Sequence, residues 1–303
     1  METLKANRIN IRPTGAPVGA EIRGVDLSQA LDDEVFAQIE QAFERHGVLF
    51  FRDQQLSPEQ LVRFSRRFGE LEPSVLKQYL LPGHPDIVVL SNVIEYGKGI
   101  GLADAGNHWH SDSSYTAMPA RASLLYGREI PSENGEPLGD TLFVCTAGVY
   151  ETLPNDMRRR LDGLRAIHGL RDRWAGKKAG SEERPIGRGE PAKAPLTPEQ
   201  LRIPPVVHPV VRTHPTTGRK CIYVNEGLTR GFVGLDDEEG EALLNELCLL
   251  LTRPERIYRH RWQVGDLVIW DNCSTQHHAT FNYRWPEHRR LMHRTTIVGT
   301  VPV

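Results

Sequence analysis

Apolar residues recur every three or four positions through "LSQALDDEVFAQIEQAFERHG", at Val35, Phe36, Ile39, Ala42 and Phe43, with acidic residues at the start and Gly47 at the end. That spacing predicts an amphipathic helix. "SPEQLVRFSRRFG" carries the signals of a second helix: Ser57 as N-cap, Pro58 in the first turn, Gln60 completing a capping box and Gly69 as the stop. A third is predicted in "DDEEGEALLNELCLLLTR", where Leu243, Leu244, Leu247, Leu250 and Leu251 form one stripe. Elsewhere the pattern changes to short apolar or alternating runs bounded by Gly, Pro, Asn or Asp. "VLFFR", "DIVVLSN", "ARASLLYG", "DTLFVCT", "VVHPVVRTH", "RKCIYVN", "GDLVIWDN" and "LMHRTTIVG" all read as strands. The order strand, "PTTG", strand between Val207 and Asn225 predicts a hairpin.

Residues 171–205 are rich in charge, Gly and Pro and show no period, which predicts a lid or an insertion. With no internal repeat and no interdomain linker, the expectation is one domain over residues 1–303. Its fold class is mainly β with flanking helices, a sandwich or jelly roll.

Composition removes several function classes. A formal charge of −2 over 303 residues offers no general attraction to nucleic acid or an anionic membrane. No apolar run approaches signal-peptide or bilayer-spanning length. Cys145, Cys221, Cys248 and Cys273 are far apart, which gives neither zinc-ribbon nor disulfide spacing. A reducing cytoplasm is the expected setting.

Candidate chemistry begins at "NHWHSDSSY", where His108, His110 and Asp112 occupy alternate positions. If the segment is extended, alternate side chains share a face, so an imidazole and a carboxylate can reach one ion. With one more imidazole they would form a two-histidine, one-carboxylate triad, which leaves half of an octahedral ion open and suits non-haem Fe(II). "STQHHAT" offers His277 or His278 as that third group. Spacing alone leaves open a His108–His110 zinc pair. In "HRRLMHRTTIVG", Arg290 and Arg294 are four apart on a strand-like segment and point to one side. Inward arginines call for an anion, and a guanidinium grips a carboxylate with two parallel hydrogen bonds.

Taken in order, "WHSDSSY", "GDTLFV", "HPVVRTHPTTGRKCIYVNEG", "RHRWQVGDLVIWDN", "TQHHA" and "RRLMHRTTI" resemble the Fe(II)/2-oxoglutarate-dependent dioxygenases of the taurine dioxygenase and 2,4-dichlorophenoxyacetate dioxygenase family. The resemblance runs from about Gly24 to the C-terminus. It implies a double-stranded β-helix, or jelly roll, with Fe(II) as metal and 2-oxoglutarate and O2 as cosubstrates. 2-Oxoglutarate would be decarboxylated to succinate and CO2 as the substrate is hydroxylated. By the same resemblance His110, Asp112 and His277 match the metal ligands and His278 a non-ligand. Arg294 matches the arginine on the far carboxylate of 2-oxoglutarate, Thr141 its hydroxyl partner, and Arg290 a second arginine near the other end.

Substrate contacts are the least specific part. Taurine-oxidising members hold the sulfonate with an early histidine and an asparagine before the first ligand, whereas this chain has "ELEPSVLKQYL" and Gly106. Lys77 is similar to a lysine of the phenoxyacetate branch, and Trp174 and Leu228 stand where taurine oxidisers have aromatic walls. A small organic anion, a sulfonate or carboxylate of aryloxyalkanoate type, is the expected substrate, and a dimer or tetramer the expected assembly. Two other readings stand beside this one: a zinc hydrolase using His108 and His110, and a catalytically silent jelly-roll binding protein.

Overall fold

The structure is a computed structural model that describes residues 9–170, 200 and 202–303. Most of the segment expected to form a lid, and Trp174 with it, lies outside the described residues. The chain opens with strands β1 (Asn10–Pro13) and β2 (Ala20–Arg23), helix α1 (Asp33–His46), strand β3 (Val48–Phe51) and helix α2 (Pro58–Ser65). Strands β4 (Leu80–Leu81), β5 (His84–Ser91), β6 (Ala122–Glu129) and β7 (Thr141–Cys145) follow, then helices α3 (Thr146–Glu151) and α4 (Asn155–Leu161). Next are β8 (Arg165–His168), β9 (Val206–Pro209), β10 (Val211–Thr213), β11 (Lys220–Ile222), β12 (Thr229–Phe232) and helix α5 (Asp237–Leu251). The chain closes with β13 (Tyr258–His260), β14 (Leu267–Asp271), β15 (Thr275–Ala279) and β16 (Leu291–Ile297).

Eight strands form the main sheet in the order β1-β2-β3-β14-β6-β16-β5-β4. Every pair in it is antiparallel except β2 with β3. Three-stranded sheets β13-β7-β15 and β9-β8-β12, the hairpin β10-β11 and two short ribbons, Ile94–Glu95 with Lys98–Gly99 and Ser132–Glu133 with Glu136–Pro137, make up the rest among the described residues. Alternation decides which face each residue serves. Leu49, Phe51, Leu124, Tyr126, Leu267 and Ile269 point outward and pack with Phe36, Ile39, Phe43, Phe64 and Phe68 from the first two helices. Their neighbours Val48, Phe50, Leu125, Val268 and Trp270 point inward and meet Phe143, Trp262 and Met292. A third cluster joins Leu243, Leu244, Leu247 and Leu251 of α5 to Ala166, Ile222, Val224 and Phe232. The result is a mainly β jelly roll with helices on its outside, and the polar residues of the inner face stand out against that apolar core.

The helix ends follow the sequence signals. Gly47 takes the left-handed conformation (φ 68°) and its N–H caps Phe43 O. The Ser57 hydroxyl accepts from Gln60 N while the Gln60 side chain accepts from Ser57 N. Such a cap contributes about 1 kcal/mol. The hairpin is β10 against β11, with Val211 opposite Ile222. Helices α3 and α4 have six and seven residues, too short for a period of 3.6 to stand out, and the sequence pattern does not predict them. The segment bearing His110 and Asp112 also departs from expectation: it is a loop beside β15, with one bridge at His110, and not a regular strand.

Candidate metal and cosubstrate site

The ligand loop is tied to β15 by backbone hydrogen bonds. Ala279 N donates to Gly106 O at 2.8 Å, His110 N to His277 O at 3.1 Å, and His277 N to His110 O at 2.9 Å. This register places the His110 and His277 rings 4.1 Å apart, centre to centre. Asp112 enters from the following turn, its N–H held by Asn272 Oδ1 at 3.0 Å. His110 Nε2 then lies 3.5 Å from Asp112 Oδ1, and His277 Nε2 3.9 Å from Asp112 Oδ2. One donor atom from each of the three buried residues falls within 4.8 Å of the other two.

These residues fit a metal ion on their own chemistry. Donors about 2.1 Å from one ion lie about 3 Å apart when their bonds meet at right angles, and the observed carboxylate–imidazole separations are within about 1 Å of that. His110 Nδ1 donates to the His108 carbonyl at 2.9 Å, which leaves Nε2 as the ring nitrogen that faces the cluster. Burial, the neighbouring His110 and Arg294 push the His277 imidazole well below its ordinary range. It is therefore neutral at pH 7, with a lone pair to give. Burial works against an ionised Asp112, but the Arg294 guanidinium 3.6 Å away favours it, and the carboxyl lies well below the usual range.

Asp112 is also clamped from behind. Its Oδ2 accepts from Ser123 Oγ at 2.6 Å and from the Trp270 indole at 3.2 Å. Asn272 closes the ring, accepting from Trp270 Nε1 at 3.1 Å and donating to Ser123 Oγ at 3.1 Å. Oδ2 is thus occupied by two donors, which leaves Oδ1 as the oxygen with free lone pairs. Ser123 looks like any small strand residue in "ARASLLYG", and only its inward register reveals it.

Arg294 sits on β16 opposite Leu125, whose side chain faces the inner core, and its Nη1 is 3.6 Å from Asp112 Oδ1. Its Nε is buried without a hydrogen-bond partner. Arg290, just before β16, is buried over the Tyr283 ring at 5.4 Å and donates from Nη2 to Gly139 O at 3.3 Å. Its Nε also lacks a partner. Thr141 is buried on β7, opposite Ala279 of β15, and its hydroxyl accepts from Trp262 Nε1 at 3.0 Å.

The remaining candidates are less convergent. Lys77 is exposed on a short 3-10 turn. Leu228 is buried, its N–H held by Asn225 Oδ1. His108 stays outside the ligand cluster: its Nδ1 bonds Asn107 Oδ1 at 2.6 Å and its ring lies on Gly227, where a Cβ would come 1.7 Å from Cδ2. The sequence reading missed Glu72, Ser113 and Tyr115, which are neighbours of or electrostatically coupled to Asp112. Ser113 Oγ is 3.3 Å from both Glu72 oxygens.

Comparison with known proteins bears on the chain as a whole. The sequence profile described as "Taurine catabolism dioxygenase TauD, TfdA family" matches residues 10–296. Pentalenolactone F synthase of Streptomyces avermitilis is 34% identical, over 96% of this chain and 94% of its own. The alpha-ketoglutarate-dependent 2,4-dichlorophenoxyacetate dioxygenase of Cupriavidus pinatubonensis is 35% identical, over 93% and 95%. The crystal structure of a taurine dioxygenase from Burkholderia xenovorans superposes with a TM-score of 0.78 at 34% identity, over 97% of this chain and 91% of that one.

Proposed function

The chain belongs to the TauD, TfdA dioxygenase family, and from that premise we propose that it uses Fe(II) held by His110, Asp112 and His277 to hydroxylate a small organic anion. The enzyme class is that of a 2-oxoglutarate-dependent dioxygenase, with 2-oxoglutarate and O2 as cosubstrates. That membership supports this reading over the zinc-hydrolase and silent-binder readings. The observation that carries the metal assignment is the convergence of two imidazoles and one clamped carboxylate from two chain segments. When bound, the iron supplies oxygen activation coupled to decarboxylation of the keto acid to succinate and CO2.

The protein's own groups bind and orient. In this reading Arg294 and Arg290 receive the two ends of 2-oxoglutarate, in the reverse of the order that the sequence resemblance implies. Arg294, 3.6 Å from the Asp112 carboxylate, belongs to the metal end. Arg290, on Gly139 O two residues before Thr141, suits the far carboxylate, with the Thr141 hydroxyl as its companion. The unpartnered Nε of each arginine is an unused donor in a buried setting, which a carboxylate would satisfy.

The chain acts in this reading as one catalytic domain. Its substrate is a carboxylate or sulfonate, by analogy with relatives such as the 2,4-dichlorophenoxyacetate dioxygenase. Succinate release from 2-oxoglutarate tests the proposal when measured across sulfonates and aryloxyacetates with Fe(II) present and withheld. Substrate-stimulated succinate that requires Fe(II) supports it. Succinate formation indifferent to Fe(II) contradicts it.

A further inference from the structure

Glu72 is a carboxyl group whose hydrogen-bonding capacity is almost unspent. Both oxygens sit 3.3 Å from one hydroxyl, that of Ser113, so a single proton is shared at the long end of the range. An ionised carboxylate offers about four lone-pair positions. Arg294 acts on it only at longer range, and among the described residues Glu72 makes no ion pair. Burial raises its proton affinity, with Asp112 adding to the effect. Glu72 is only partly buried, so its spare lone pairs are within reach of a donor that enters the site.

Its position says where that donor comes from. Glu72 N donates to Thr296 O at 2.8 Å and Leu71 bridges Ile297, which fixes the residue beside β16, just beyond Arg294. Ser113 directly follows the ligand Asp112 and is held in the left-handed region at φ 55°. Tyr115 completes the group: its hydroxyl is pushed up to about 12 by burial and by Glu72. Glu72 therefore lies, with Ser113 and the electrostatically coupled Tyr115 and Arg294, at the Asp112 side of the metal site. The standing cation there, Arg294, already faces Asp112, and Lys77 is exposed. A carboxylate at that position repels a second anionic group and attracts a donor.

We infer that Glu72 is a specificity-determining acceptor that takes a hydroxyl or ammonium group of the substrate, so that the organic acid oxidised here also carries such a donor. The inference deepens the proposed function and rests on it. A site built to bond a donor rejects an analogue lacking it far more strongly than a pocket that merely fits.

Matched probes test it: 3-aminopropanesulfonate against propanesulfonate, and 4-hydroxyphenoxyacetate against phenoxyacetate. The full chain, loaded with Fe(II) and 2-oxoglutarate, is assayed for succinate as wild type, Glu72→Gln and Glu72→Leu. At least one donor-bearing probe is expected to exceed its partner by about tenfold or more in kcat/KM. Glu72→Leu should reduce that ratio to near one, and Glu72→Gln should retain a preference for hydroxyl but lose one for ammonium. Wild type that favours neither donor-bearing probe, or a ratio unchanged in Glu72→Leu, overturns the inference. If Glu72 only braces Ser113, both members of a pair lose activity equally, which also overturns it. Anaerobic binding of Fe(II) and 2-oxoglutarate, read by visible absorption, should be the same in all three proteins. Its absence from wild type marks failure of the dioxygenase reading itself, and the inference falls with it.

Discussion

His110 and His277 face one another across an antiparallel bridge in which each N–H donates to the other's carbonyl, at 3.1 and 2.9 Å. Two proposed ligands 167 positions apart in sequence are thus positioned by main chain, and their side chains are left to serve a metal. His277→Ala should therefore fold with a melting temperature within a few degrees of wild type, since the bridge is intact and a buried imidazole with an unpartnered Nδ1 is removed. Mn(II) affinity, measured by calorimetry, should fall by about 100-fold or more with one of three protein ligands gone. Loss of folding together with binding would show that the imidazole itself holds the fold.

The Ser123–Asn272–Trp270 ring predicts a second effect, away from the ligands. Ser123→Ala removes the 2.6 Å bond to Asp112 Oδ2 and leaves Asn272 without its acceptor. Metal affinity should drop about tenfold, the lower end for partners of metal ligands, and Ser123→Thr should recover part of it. Equal affinity in Ser123→Ala and wild type, by the same calorimetry, would show that the clamp does not act on the metal.

The arginine order is open to kinetics. Arg290→Gln should raise KM for 2-oxoglutarate by about tenfold to 100-fold, the loss of one charge-assisted contact. Metal affinity should change little, because Arg290 touches Gly139 and Tyr283 and none of the ligands. Arg294→Gln, beside Asp112, should alter both. The opposite pattern would restore the order first expected from sequence.

Acid should weaken the fold through His168. This imidazole is fully buried, bonds Ser114 Oγ at 3.2 Å, and is pushed down to about 3 by burial foremost and by His208. The folded state keeps it neutral, while the unfolded chain takes up a proton near pH 6.5. Below that pH the unfolded state binds more protons, so stability falls as pH falls toward 3, and above it the contribution is constant. Between pH 7 and 5 the loss from this group alone is about 2 kcal/mol. Urea unfolding of wild type and His168→Asn should show the variant losing less over that interval. Parallel losses in the two proteins would contradict the assignment.

Much of this was legible in the sequence because it rested on local rules. The capping box at Ser57 and Gln60, the stop at Gly47 and the leucine stripe of α5 each depend on neighbours within a few turns. His110, Asp112 and His277 were legible for a different reason, as ordered motifs carrying a donor set that few other functions require. What escaped was non-local. Asp112 owes its fixed orientation to Ser123, 11 residues on, and to Trp270 and Asn272, 158 and 160 residues on. Glu72 meets Ser113 only because residue 72 is tied to β16 at Thr296. Helices α3 and α4 escaped through brevity, and the ligand loop imitated a strand because alternate residues of any extended segment share a face.

Anaerobic absorption spectroscopy tests the central claim most directly. Addition of 2-oxoglutarate to the Fe(II)-loaded protein should produce a visible charge-transfer band, and Asp112→Ala, folded to the same degree, should produce none. A folded wild-type protein without the band, or a band of equal strength in Asp112→Ala, would contradict the claim that these residues hold iron and keto acid together.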